Sequence, residues 1–242
     1  MKKCLKDYVV KFASNFGYEI RDKYSNVVFN YRNVARTLFL KRCFDRICDI
    51  DGDIVECGVK NGGTLSMFGM LVKEEGKKRQ IYGFDSFAGY PPPSIEDKST
   101  EKLRTKMRII ERNIKKKRNY CPIERTRKFL LHTLTDAKGN SDVKFINSRI
   151  TLVKGFFEDT LHKHTSKIAL LHLNCDLYMS YKVALEALYP KVLKGGVVIL
   201  SEYEYWPGAR KAVDDYFSKV KKTHSGLLID EAYYRTHYII KA

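Results

Sequence analysis

Two carboxylates stand out by their position. Glu56 sits near the end of the apolar run "DIVEC" at 53 to 57, followed by Gly58, Gly62 and Gly63 before an apolar stretch of helical spacing begins at Leu65. Asp85 ends a second run, "RQIYGFD", 22 residues beyond Gly63. A strand, a glycine turn and a helix bring backbone amides and a helix N-terminus to a ligand. A carboxylate at the strand end adds a partner for a cation. The turn matches neither common phosphate motif: Lys60 and Asn61 stand where a dinucleotide fold needs its second glycine, and "GGT" replaces the G-K-S or G-K-T of a Walker loop.

S-adenosylmethionine suits such a turn better, because it carries an ammonium, a carboxylate, a sulfonium, a ribose diol and an adenine but no phosphate. Glu56 can face its positive groups while the glycines admit the backbone. The amides at the start of the helix, at Thr64, can take the methionine carboxylate. Asp85 can accept hydrogen bonds from the ribose hydroxyls. Singly, Glu56 reads as a surface-adjacent ion pair and Asp85 as a turn cap. Their register on consecutive strands is what points to a cofactor.

The elements that must position these residues follow a regular rhythm. The first fifty residues have helical spacing and end at the turn "DGD". Strand candidates at 53–59, 79–85, 149–155, 167–175, 195–203, 226–230 and 235–242 then alternate with helices. Most are continuous apolar runs, as in a parallel sheet buried on both faces. The last two are too close for a crossover helix and predict a terminal antiparallel hairpin. The expectation is one α/β domain spanning residues 1–242: a doubly wound, seven-stranded, mostly parallel sheet with an antiparallel last strand and helices on both faces. Residues 1–50 form a helical N-terminal extension and 94–147 a basic helical insertion placed to act as a lid.

The formal net charge is +17, and residues 98–128 hold 13 Lys or Arg against 3 Glu. That excess raises a nucleic-acid partner beside the plainer reading of a solvated insertion. Six cysteines without a C-x-x-C pair read as reduced core thiols. The absence of an apolar run of membrane length leads us to expect a cytoplasmic protein with no membrane partner.

Five blocks, "GDIVECGVKNGGT", "YGFDSFAGYPPPS", "LVKGFFEDTL", "IALLHLNCDLYMSYKVALEALYPKVLKGGVVILSEY" and "WPGARKAVDDYF", resemble the macrocin O-methyltransferase family in order and spacing from about Arg32 onward. The resemblance implies a Rossmann-like class I methyltransferase fold and S-adenosylmethionine-dependent methylation of a small-molecule hydroxyl, as on a sugar or glycoconjugate. It implies a donor site lined by Glu56, Gly58, Gly62, Gly63, Thr64, Asp85 and Ser86, with Gly155 and Phe156 beside the adenine and Asn174 at its edge. A homo-oligomer is also consistent with it.

Family members of this type use magnesium held by carboxylates in blocks resembling L-R-L-D-G-D-L-Y and V-D-D-Y, whereas this chain reads "LHLNCDLY" and "LSEY". Two outcomes follow. Asn174, Asp176 and Glu202 could form a rebuilt Mg2+ site. Without a metal, a general base must take the proton, and His132 in the insertion and Asp176 are the candidates. His172, inside the fourth strand, reads as a core or ligand-proximal residue, and His162, His164, His224 and His237 as surface or edge positions. Tyr178, Trp206 and Pro207 could stack on an acceptor or simply pack. A nucleic-acid methyltransferase and a catalytically decayed binding protein stand as alternatives; the first lacks a D-P-P-Y or N-P-P-Y block.

Overall fold

The computed structural model describes residues 31–98, 104–105, 107–108, 111–112, 121–136, 138–220, 226–230 and 236–242. The expected helices before residue 31 and the Lys115–Arg118 run of the insertion lie outside them. The chain divides into two compact units, Met1–Arg36 and Thr37–Ala242, and every strand belongs to the second.

In chain order the elements are α1 (Tyr31–Asp45), β1 (Asp53–Cys57), α2 (Gly63–Glu75), β2 (Ile81–Asp85), α3 (Ile123–Thr133), α4 (Val143–Arg149), β3 (Ile150–Lys154), α5 (Phe157–Thr160), β4 (Ile168–Leu173), α6 (Tyr178–Leu188), β5 (Val192–Leu200), α7 (Pro207–Lys219), β6 (Leu228–Asp230) and β7 (Thr236–Ile240). The strands make one seven-stranded sheet in the order β3-β2-β1-β4-β5-β7-β6. Strands β1 to β5 pair in parallel, and β7 runs antiparallel to both β5 and β6, as the short connection predicted.

The apolar runs explain the sheet's burial. All six residues of β4 are buried, because helices cover both faces. On one face Val55, Leu171, Leu173, Val198 and Leu200 pack with Tyr181, Leu185 and Leu188 of α6 and with Ala212 and Val213 of α7. On the other, Ile54, Leu170, Val197 and Ile199 pack with Phe39, Leu40 and Phe44 of α1, Leu65 and Phe68 of α2, and Leu130 of α3. Alternating side chains of one strand thus feed two separate cores.

Strand β5 begins at Val192, earlier than expected from its glycine pair, and ends at Leu200. A register irregularity beside Ile168 absorbs Gly195 and Gly196 as a bulge within the ladder, so Ser201, Glu202 and Tyr203 fall in the following turn. This places them beyond the carboxyl end of β5 instead of inside the strand.

Arg79 fastens the opposite end of β1. Its buried guanidinium donates to both carboxylate oxygens of Glu75 and to the carbonyls of Ile47, Ile50 and Gly52. A fixed planar fork suits this multiple recognition.

From β1 the chain builds outward through β2 to β3, then crosses back to lay β4 on the other side of β1. The crevice between the carboxyl ends of β1 and β4 is therefore the topological switch point, where open α/β sheets bind ligands.

Candidate functional site

Three non-glycine residues with left-handed backbones are found among the described residues: Lys60 at φ 52°, Phe87 at φ 51° and Asp176 at φ 60°. Each follows the carboxyl end of a strand, β1, β2 and β4 respectively. Such conformations are held only where the surroundings over-determine them, and they gather at functional sites.

Asp85 supplies much of that determination. Its Oδ2 accepts the Lys60 N–H and its Oδ1 accepts the Phe87 N–H, both at 2.8 Å. One carboxylate thereby fixes the turns after β1 and β2, and each oxygen keeps acceptor capacity for a ligand hydroxyl. The turn-cap reading of Asp85 is part of its role in the structure. Ser86 is engaged by its own turn, donating to the Gly89 carbonyl and accepting the Ala88 N–H.

The glycines serve different ends. A Cβ on Gly58 would lie 2.0 Å from the Asn174 carbonyl oxygen, and φ is +90° there. The close approach of the chain leaving β4, clamped by the Asn174 N–H to the Cys57 carbonyl, thus requires a glycine. Gly62 caps α2, and a Cβ on Gly155 would press on Thr160. Gly63 has no such internal reason: a Cβ there would meet only Asn61 Oδ1, at 3.6 Å. Its free space lies at the N-terminus of α2, beside the buried Thr64, where a ligand carboxylate would meet backbone amides.

Part of the insertion closes on this turn. Thr126 of α3 donates to the Lys60 carbonyl at 2.6 Å, and Ser66 and Thr133 hydroxyls meet at 2.6 Å. His132 lies two residues beyond Leu130, about 200° around the α3 axis from that core-facing side chain. The face of α3 that meets the glycine turn is carried by Thr126, Leu130 and Thr133, and His132 does not join it.

Glu56 is fully buried, not surface-adjacent, at 1% exposure. Its Oε1 accepts from His172 Nδ1 at 3.0 Å, and His172 Nε2 meets Ser201 Oγ at 2.7 Å. Glu56 Oε2 is buried without a partner. Parallel pairing sets Glu56 opposite His172, and Phe68 of α2 packs edge-on against the imidazole. Sequence reading placed His172 in the core or close to a ligand but missed this chain of hydrogen bonds. The signal was the alternation of β4, which puts His172 on the same face as Glu56 once β1 and β4 are neighbours.

At the end of β4, Asp176 Oδ2 accepts the Tyr90 hydroxyl at 2.5 Å. Tyr178 N–H bonds buried Asp97 at 2.9 Å, and Leu177, Met107, Tyr90 and Trp206 pack together beside it. Trp206 and Tyr178 therefore share a packed wall after β4 and β5. His164 and His237, expected at surface or edge positions, are buried; the rings of Tyr82 and Phe84 enclose His164, and Tyr203 covers His237.

The buried thiols show how negative this edge is. Burial pushes the Cys57 thiol well up, and the charges of Glu56 and then Asp85 push it further. Burial also raises Cys175, followed by Cys57, Asp176, Glu202 and Asp85. Glu56, Asp85, Asp176 and Glu202 thus act together on two thiols at the carboxyl ends of β1 and β4. A cationic ligand is favoured there.

Asn174, Asp176 and Glu202 offer a neutral amide and two carboxylates, a donor set that magnesium accepts. Asp176 is engaged by Tyr90, and no group of three His, Cys, Asp or Glu able to hold a metal ion comes together among the described residues.

The strand order and the anionic switch-point crevice behind a glycine turn define a class I, S-adenosylmethionine-dependent methyltransferase. Solved structures share this fold: the O-methyltransferase NovP at a TM-score of 0.68 and 24% identity, covering 86% of this chain and 80% of that one. A calicheamicin methyltransferase aligns at 0.69 and 23%, covering 86% and 79%. Residues 29–235 match the macrocin-O-methyltransferase (TylF) family, and the chain belongs to it. It is an O-methyltransferase of a small molecule. Among its relatives, demethyldecarbamoylnovobiocin O-methyltransferase of Streptomyces niveus is 29% identical over 202 residues, 81% of this chain and 71% of that protein. The 8-demethyl-8-(2,3-dimethoxy-alpha-L-rhamnosyl)-tetracenomycin-C 4'-O-methyltransferase of Streptomyces olivaceus is 31% identical over 170 residues, 69% and 58% of the two chains. No helix among the described residues is long and apolar enough to cross a membrane.

Proposed function

We propose that the acceptor is a sugar hydroxyl of a glycosylated small molecule, and that Asp176 is the base that receives its proton. The left-handed Asp176 carries this reading. A strained aspartate at the switch point, its carboxylate held by Tyr90 and flanked by the wall of Tyr178 and Trp206, is placed to meet an acceptor beside the donor. The rhamnosyl group in the name of the Streptomyces olivaceus relative supports a glycosyl acceptor.

The donor lies across the carboxyl ends of β1 and β2. Glu56 faces the methionine ammonium, Gly63 and Thr64 the methionine carboxylate, and Asp85 the ribose diol. Gly155 and Phe156 border the adenine, and Asn174 the rim. The acceptor oxygen attacks the methyl carbon in line with the sulfur. An O–C bond forms as the S–C bond breaks, the hydroxyl proton passes to Asp176, and S-adenosylhomocysteine leaves. No step is routed through a metal ion.

The test follows S-adenosylhomocysteine release from S-adenosylmethionine with rhamnosides, beginning with methyl α-L-rhamnopyranoside, in the presence of a chelator. General-base catalysis contributes about 100- to 10,000-fold. Asp176→Asn should lose at least about 100-fold in turnover while its affinity for S-adenosylhomocysteine stays within about two-fold. Retention of turnover by this variant removes Asp176 from the role, and loss of turnover on chelation restores a metal.

A further inference from the structure

We infer that His172 and Ser201 form a positioning pair that aims the unpartnered oxygen of Glu56 at the donor's ammonium, and so set the enzyme's preference for an aminated donor. The inference rests on the donor site proposed above. An ionised carboxylate can only accept hydrogen bonds, so His172 Nδ1–H donates to Glu56 Oε1. On its other side the ring meets the Ser201 hydroxyl through Nε2, at 2.7 Å. Ser201 thereby fixes the orientation of the ring that holds Glu56, as an outer partner orients a ligating group.

The arrangement is costly unless something completes it. A buried carboxylate oxygen with no partner loses its hydration without compensation. Glu56 Oε2 is such an atom, buried near the carboxyl end of β1 on the residue that stands opposite His172 of β4. His172 is itself 3% exposed, wedged by Phe68, and cannot swing away. With Oε1 committed, Oε2 is the free half of the carboxylate. An ammonium supplies both the charge and the hydrogen that it lacks.

Calorimetry with two probes separates this role from simple packing: S-adenosylhomocysteine, and its deaminated analogue in which hydrogen replaces the α-amino group. The wild-type protein should bind the aminated probe about 30- to 100-fold more tightly. His172→Phe keeps a ring against Phe68 but removes both nitrogens. It should weaken the aminated probe at least about ten-fold, leave the deaminated one within about two-fold, and collapse the preference. Ser201→Ala should shift the preference in the same direction by a smaller factor, and it carries the test should His172→Phe fail to fold. Equal weakening of both probes, or an undiminished preference in both variants, overturns the pairing. Equal binding of the two probes by the wild type also overturns it while leaving the donor site in place. Binding of neither probe overturns the donor site as well.

Discussion

Gly58 and Gly63 belong to one turn, yet alanine at each should act on a different property. At Gly58 the new Cβ would stand 2.0 Å from the Asn174 carbonyl oxygen and 2.8 Å from its carbon, both backbone atoms. The ends of β1 and β4 would have to part by about 1.4 Å to bring that oxygen to ordinary contact. A left-handed backbone costs about 1–2 kcal/mol for a residue with a Cβ. Forcing an added methyl into a packed site costs about 1–3 kcal/mol more. Gly58→Ala should therefore lose about 2–5 kcal/mol, a fall in Tm of about 5–15 °C for a domain of this size. Gly63→Ala meets only Asn61 Oδ1 at 3.6 Å and extends a helix that favours alanine. Its stability should be unchanged or higher by up to about 1 kcal/mol. Its affinity for S-adenosylhomocysteine should fall at least about ten-fold, or about 1.4 kcal/mol. Urea denaturation and calorimetry on both variants check this. A Gly58→Ala protein as stable as wild type, or a Gly63→Ala protein with unaltered affinity, would refute the division of labour.

Further outcomes follow from the same contacts. Arg79→Ala removes a buried guanidinium and leaves Glu75 and three carbonyls without their donor; it should cost about 3–5 kcal/mol, read by the urea midpoint. Tyr90→Phe removes the hydrogen bond to Asp176 and should lower kcat about three- to ten-fold with little change in KM, measured once an acceptor is in hand. His164 is pushed below its ordinary value of 6.5, by burial first and then by Lys191. The unfolded chain binds the proton first, so this contribution to stability is complete above pH 6.5 and declines as pH falls from there toward the folded value. His164→Phe should flatten the decline between pH 7.5 and 5.5, and an unchanged slope would show that another group causes it.

The central strands were legible because each is a short apolar run between turn signals, and a parallel sheet buried on both faces imposes that pattern. The two carboxylates, Glu56 and Asp85, were legible for the same reason, as polar residues at the ends of such runs. The partnership of Glu56 with His172 was not. It depends on β4 lying beside β1, a long-range pairing that local periodicity does not encode. The start of β5 was misplaced because the glycine pair at 195 and 196 signals a break, whereas in the sheet it forms a bulge. His164 and His237 read as surface or edge positions, and rings distant in sequence cover them, Tyr82 and Phe84 on His164 and Tyr203 on His237.

A crystal structure of the protein with S-adenosylhomocysteine tests the central claim most directly. The account predicts the sulfur in the crevice between the ends of β1 and β4, the ammonium within hydrogen-bonding distance of Glu56 Oε2, and the ribose hydroxyls on Asp85. Density for the ligand elsewhere, or an ammonium turned away from Glu56 with the ribose off Asp85, would contradict it.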